Sequence, residues 1–263
     1  MTASRLIGVG VGPGDPELIT VKAVRVLAEA GLVLVPVLAG ASPAEPGRAE
    51  ATVRAHIDGA AIRRVPFALT DRGGVTPVRR AAWDRAAREV AAAFCSGTPT
   101  VAFATIGDPN IYSTFSYLAQ AVRELVPGVI VATVPGITAM QDLAARAATV
   151  LTEGGESLAL LPLAAHGDAV PSHAALRDAL VRHDTVVAYK LGAAAGNPAD
   201  GFTALLAALD DAGRLGDAVY GARLGLPGQD IRMARELRGT ESVPYLSTLI
   251  APGRRDGIGS KLR

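Results

Sequence analysis

A mostly parallel α/β architecture in two domains is the fold class that this 263-residue sequence predicts. Short apolar runs alternate with longer segments of helical period, the order expected of strand–helix–strand units. Three of those runs pass directly into turns rich in Gly and Pro, as strands do at the open end of such a sheet. The composition, 49% hydrophobic and 19% charged, is that of a chain able to bury a core.

Taken in order, Leu6 to Val11 is an apolar run ending in glycines and reads as a buried strand. Asp15 caps and Pro16 opens a helix expected to run through Leu18, Val21, Val24 and Leu27 to Gly31. Leu32 to Val37 is the next strand, and residues 39–48 read as a Pro/Gly/Ser-rich loop. A weaker strand follows at 61–67. Thr76 and Pro77 open a long helix ending near Gly97. Thr100 to Ile106 is a strand running straight into GDPNIYSTF, and a helix from about Thr114 to Val126 shows Phe115, Leu118, Ala119 and Val122 on one face. The second half restarts with a strand at 129–134, then PGITA and a helix to about Ala148. Strands are expected at 157–161, 185–191 and 218–224, with 231–237 and 245–251 as a closing antiparallel pair. The boundary is expected near Pro127 and Gly128, giving domains 1–127 and 128–263.

Several functions are disfavoured by the same composition. A formal net charge of +1 and 4% aromatics offer little to DNA, RNA or an anionic membrane. All but three of the 26 basic residues, Lys22, Lys190 and Lys261, are arginines. The single cysteine, Cys95, lies in an apolar helical stretch and is expected to be packed. His56, His166, His173 and His183 lack ligand spacing, so no metal site is expected. The segment MTASRLIGVG has no signal-peptide pattern and no apolar run is long enough to span a bilayer, so a cytoplasmic protein is expected.

The glycine loop GVGVGPGDPELIT at 8–20 suggests a ligand-binding strand end, but its glycine offsets do not fit the dinucleotide fingerprint. Asp15 at its tip would repel a phosphate, so a cationic or zwitterionic ligand suits it better. A second strand end, TIGDPNIY at 105–112, places Asp108 toward a pocket; nothing in the pattern demands its carboxylate for packing. The third is VPGITA at 134–139.

Together, GVGPGDPELIT at 10–20, FATIGDPNIYSTF at 103–115, VPGITA at 134–139 and YKLG at 189–192 resemble the tetrapyrrole methylase family over essentially the whole chain. The resemblance implies two α/β domains with S-adenosylmethionine in the cleft between them, and a homodimer. It also implies that Pro13, Ile106, Gly107, Asp108, Ile111, Thr138, Ala139, Leu191 and Ala222 contact that cofactor. The run IYSTFSYL resembles members acting on carbon 20 of precorrin-2 in cobalamin biosynthesis, and Asn110 to Leu118 is then placed to seat the macrocycle. Other acceptors in the family, such as uroporphyrinogen or later precorrins, and a non-catalytic cofactor-binding module remain as alternatives. Tyr112, Asp15 and Tyr117 are candidate proton handlers, and Arg72, Arg79, Arg80 and Arg85 are candidates to grip the substrate's carboxylates.

Overall fold

The computed structural model describes residues 3–42, 44–58, 61–68, 71, 74–163, 171–192, 198–240 and 243–262. The chain divides into two units, Met1–Thr138 and Ala139–Arg263.

In the first unit the expected strands form one five-stranded sheet: β1 (Arg5–Gly10), β2 (Leu32–Leu38), β3 (Ile62–Phe67), β4 (Thr100–Thr105) and β5 (Ile130–Val134). Their order is β3-β2-β4-β1-β5 and every pairing is parallel. Four helices make the crossovers: α1 (Val21–Glu29), α2 (Arg48–Arg54), α3 (Pro77–Cys95) and α4 (Phe115–Leu125). The strands alternate their side chains between the two faces. Ile7, Val9, Val33 and Ala102 bury against Ala23 and Leu27 of α1 and Ala49 and Val53 of α2. Leu6, Leu34, Val101 and Phe103 bury against Ala86 and Val90 of α3 and Leu118 and Val122 of α4. The chain therefore leaves β1 toward one face and β4 toward the other. Because β1 and β4 are neighbours, a crevice opens outside their carboxyl ends, the topological switch point of an open α/β sheet.

The boundary is a correction. The strand expected to open the second domain is β5, and it pairs with β1 from Arg5↔Ile130 to Val9↔Val134, so it belongs to the first unit. Pro127 and Gly128 form only the turn that enters it; the division falls at Thr138 instead. The expected helix from Asp15 to Gly31 is also interrupted. Asp15 caps a 3₁₀ turn at Pro16–Leu18, Ile19 is extended, and the Thr20 side chain accepts from Ala23 N at 3.2 Å to start α1 afresh. Helix α2 was hidden in the polar stretch after residue 47. There Glu50 accepts from Gly47 N at 3.1 Å and from Arg64 Nε at 2.7 Å, and it is fully buried. Arg64 also donates to the carbonyls of Ser42 and Glu45, which ties the 42–47 loop to β3. Cys95, expected to be packed, is exposed at the last residue of α3.

The second unit holds a mixed sheet of β6 (Leu158–Pro162), β7 (Thr185–Tyr189), β8 (Val219–Ala222), β9 (Asp230–Met233) and β10 (Ser247–Ala251) in the order β6-β7-β10-β8-β9. The expected closing pair is corrected: β9 and β10 are both antiparallel to β8 and flank it, and residues 234–237 turn into a 3₁₀ helix. Helices α5 (Ala139–Arg146), α6 (His173–Arg182) and α7 (Pro198–Asp211) complete the unit; the last two had no clear signature in the sequence. Leu176 and Leu180 of α6, Leu205 of α7, Tyr220 and Leu249 share its apolar core. Arg214, 7% exposed, donates to the carbonyls of Leu180, His183, Asp184, Ala251 and Pro252, joining the end of α6 to β7 and β10.

Candidate functional site

The carboxyl ends of β4, β1 and β5 lie in register, with Thr105 opposite Gly10 and Val9 opposite Val134. Beyond them the three turns converge. Val11 N donates to Thr105 O at 2.9 Å, and Gly107 N donates to Gly12 O at 2.8 Å. A methyl group on Gly10 would stand 2.5 Å from Gly107 O, and one on Gly136 would stand 2.1 Å from the same oxygen. Real Cβ atoms do not approach so closely, so backbone meets backbone here and only glycine fits. Gly107 differs: at φ 69 it has nothing within 4 Å of an added Cβ, and so it borders open space. The glycines expected to cradle a ligand thus divide the work. Gly10 and Gly136 close the floor, and Gly107 faces out from it.

Asp108 is the hub of this arrangement. It is 9% exposed; Oδ1 accepts from Asn110 N at 2.8 Å and Oδ2 from Gly136 N at 3.0 Å. The expectation that no packing need fixes this carboxylate is corrected, because it joins the turn after β4 to the turn after β5. One further bond secures the same connection, and another folds the turn after β4 back onto its own strand. Asn110 Nδ2 donates to Thr133 Oγ1 at 3.3 Å, and Ser113 Oγ donates to Thr105 Oγ1 at 3.1 Å. Between these anchors Tyr112 takes φ 50, a left-handed conformation rare for a bulky residue, and it is 45% exposed. Such strain costs about 1–3 kcal/mol and persists where neighbours over-determine it.

Of the residues expected at the cofactor, Pro13, Ile106, Gly107, Asp108 and Ile111 gather on these turns, and Thr138 is buried two residues after Gly136. Ala139, Leu191 and Ala222 belong to the second unit. Leu191 and Ala222, at the ends of β7 and β8, are packed into its apolar core. The residues beside them, Lys190 at φ 57 and Arg223 at φ 51, take the left-handed backbone. Gly192 is required by close packing, since a Cβ there would lie 2.0 Å from Val243 O. At the start of α5, Met140 N donates to the Tyr189 hydroxyl at 2.9 Å, which brings 139–140 to the end of β7.

Among the candidate proton handlers, Asp15 Oδ1 accepts from Glu17 N at 3.0 Å as a cap. Tyr117 lies in the first turn of α4, stacked on Trp83. Arg79 donates to Gly74 O at 2.9 Å, Arg80 and Arg85 are exposed, and Arg72 lies outside the described residues, as does His166. His56 is exposed, whereas His173 at the start of α6 and His183 just after it are half-buried. Among the described residues no three His, Cys, Asp or Glu side chains are grouped as metal ligands, and no helix is long and apolar enough to cross a membrane. Sequence reasoning missed the Asn110–Thr133 and Met140–Tyr189 links and the Trp83 stack. Polar partners 23 and 49 residues apart leave no local pattern.

Comparison with known proteins agrees with this architecture. The chain is 33% identical over 252 residues to the cobalamin biosynthesis protein CobIJ of Mycobacterium tuberculosis, covering 95% of this chain and 46% of that protein. It therefore spans about half the length of those relatives. It is 30% identical over 257 residues to the precorrin-2 C(20)-methyltransferase of Sinorhizobium sp., covering 96% of each chain. The crystal structure of the methyltransferase CobJ superposes with a TM-score of 0.65 at 22% identity, covering 97% of this chain and 98% of that one. The sequence profile of the tetrapyrrole (corrin/porphyrin) methylases matches residues 5–237, and the chain belongs to that family.

Proposed function

We propose that the protein is an S-adenosylmethionine-dependent methyltransferase that methylates carbon 20 of precorrin-2, or of its cobalt form, in cobalamin biosynthesis. The observation that carries the choice of acceptor is the likeness to the Sinorhizobium enzyme over 96% of both chains. The reading includes a cytoplasmic location and, as the family resemblance implies, a homodimer.

The residues present fit the cofactor. Gly107 borders open space at the switch point of the first sheet, and backbone carbonyls and N–H groups line the surrounding turns. These suit a zwitterionic ligand better than a pyrophosphate, for which the glycine spacing and Asp15 are wrong. In this reading Pro13, Ile106, Gly107, Ile111, Thr138, Ala139, Leu191 and Ala222 contact it, as the family resemblance implies. When bound, S-adenosylmethionine supplies an electrophilic methyl group whose departure leaves a neutral thioether. The chain's own task is alignment of the acceptor carbon, an effect that supplies several kcal/mol of a barrier. Asp108 acts as a positioning residue, since both its oxygens hold backbone that borders the site.

Calorimetry with S-adenosylhomocysteine and with NAD, followed by single-turnover mass spectrometry with precorrin-2, tests the reading. Binding of the homocysteine product, no binding of NAD, and a product heavier by one methyl group are expected. Binding without turnover would point to the non-catalytic module, and affinity for NAD alone would end the proposal.

A further inference from the structure

Among the described residues, four that are not glycine take a left-handed backbone: Tyr112, Ala148, Lys190 and Arg223. Tyr112 is the aromatic among them, and a bulky side chain is the kind this conformation tolerates least. Its place at the strand ends is fixed from both sides. Asp108 Oδ1 holds Asn110 N at 2.8 Å, and Asn110 Nδ2 donates to Thr133 of β5. Ser113 Oγ donates to Thr105, the last residue of β4. The Cα of Tyr112 is one residue, about 3.8 Å, from that of Ser113.

Core packing does not account for the strained residue. Phe115, further along, is buried and stacks on Phe103. The Tyr112 ring belongs to none of the apolar core clusters and is 45% exposed. Glycine or asparagine would hold the same backbone with little strain. Residues strained in this way gather at ligand clamps and active sites. The residues implied at the cofactor nearby, Pro13, Ile106, Gly107 and Ile111, are buried or half-buried. Tyr112, on the same turn as Ile111, is open to solvent, where a second and larger reactant must arrive.

We infer that the Tyr112 ring packs against the acceptor tetrapyrrole and that the strained turn serves to present it. The inference rests on the proposed tetrapyrrole reading and deepens it by naming a residue that meets the acceptor. A phenol ring gives a conjugated macrocycle a broad, rigid apolar surface with few torsions to freeze. That contact needs the ring and not the hydroxyl. Strain kept for packing and strain kept for a ligand also respond differently to substitution. Losing the first residue lowers stability and leaves KM alone, whereas losing the second relieves the backbone and raises KM.

The experiment compares wild type with Tyr112→Gly, Tyr112→Asn and Tyr112→Phe. Glycine and asparagine both suit the left-handed backbone and lack the ring, so the fold is preserved while the contact is lost. KM and kcat for precorrin-2, S-adenosylhomocysteine affinity by calorimetry and the urea midpoint are measured for each. The two ringless variants are expected to raise the KM for precorrin-2 by roughly 10-fold, the scale of one aromatic stack on a conjugated ring. Their urea midpoints should equal or exceed that of wild type, and their S-adenosylhomocysteine affinity should hold. Tyr112→Phe should keep the wild-type KM. An unchanged KM in both ringless variants would overturn the inference. So would a midpoint that falls in both, which would make the strain a packing device. Loss of S-adenosylhomocysteine affinity in step with KM would assign the ring to the cofactor, and a Tyr112→Phe variant as impaired as Tyr112→Gly would assign the role to the hydroxyl; either result overturns it too. A wild-type protein that does not methylate precorrin-2 overturns the functional reading itself, an outcome seen before any variant is compared.

Discussion

Replacing Asp108 by Ala should unfold the first unit more easily as well as weaken the cofactor. In the native structure its two oxygens receive Asn110 N at 2.8 Å and Gly136 N at 3.0 Å in a site where the residue is 9% exposed. The methyl of alanine accepts neither. Each donor left without a partner costs roughly 1–3 kcal/mol, so the pair gives a loss of about 2–6 kcal/mol in unfolding free energy. Asp108→Asn keeps the shape and one acceptor but turns an amide NH₂ toward the other donor, so it should lose about half as much. Urea denaturation of wild type and both variants, followed by calorimetry with S-adenosylhomocysteine, measures the two effects separately. The expected order of stability is wild type, Asn, Ala, with affinity falling in the same order. A loss below about 0.5 kcal/mol in Asp108→Ala, the scatter of ordinary surface substitutions, would refute the bridging role.

Gly136→Ala should prevent folding of the first unit, since its Cβ would stand 2.1 Å from Gly107 O, whereas Gly128→Ala, left-handed at φ 85 with nothing within 4 Å, should cost only about 1–2 kcal/mol; soluble yield and urea midpoint compare them. At Glu50, burial alone would raise the carboxyl pKa, but hydrogen bonds from Arg64, Arg54 and Gly47 N outweigh it and hold the group below its ordinary 4.5. Its contribution to stability is thus present above about pH 4.5 and is lost as pH falls through the lowered folded value, so the gap between wild type and Glu50→Gln should close on acidification in pH-dependent urea unfolding. Arg214→Met should destabilise the second unit by more than about 2 kcal/mol, because it leaves buried carbonyls at Leu180 and Ala251 without their donor; thermal unfolding reads the loss.

Much of the first unit was legible because β1, β2 and β4 are continuous apolar runs, and such runs are what a parallel sheet covered on both faces requires. Helices α3 and α4 announced themselves by the Thr76–Pro77 start and by the apolar stripe from Phe115 to Val122. The glycines at 10, 107 and 136 were legible as a set, but their separate tasks depend on distances between strands far apart in sequence. The boundary was misplaced for the same reason. Nothing local in 130–134 tells which sheet the strand joins, and only its register with Arg5 to Val9 decides it. Helix α2 was masked because its start rests on Glu50, whose burial depends on Arg64 fourteen residues on. The Asp108 bridge and the Trp83–Tyr117 stack are tertiary contacts that no periodicity encodes.

The proposed function turns on which carbon receives the methyl group. Incubating the protein with precorrin-2 and S-adenosylmethionine carrying carbon-13 in its methyl group, then locating the label by two-dimensional NMR, tests it most directly. A single labelled methyl bonded to carbon 20 is the predicted result. A label at any other ring position, or methylation of uroporphyrinogen with none of precorrin-2, would contradict the proposed specificity while leaving the family membership in place.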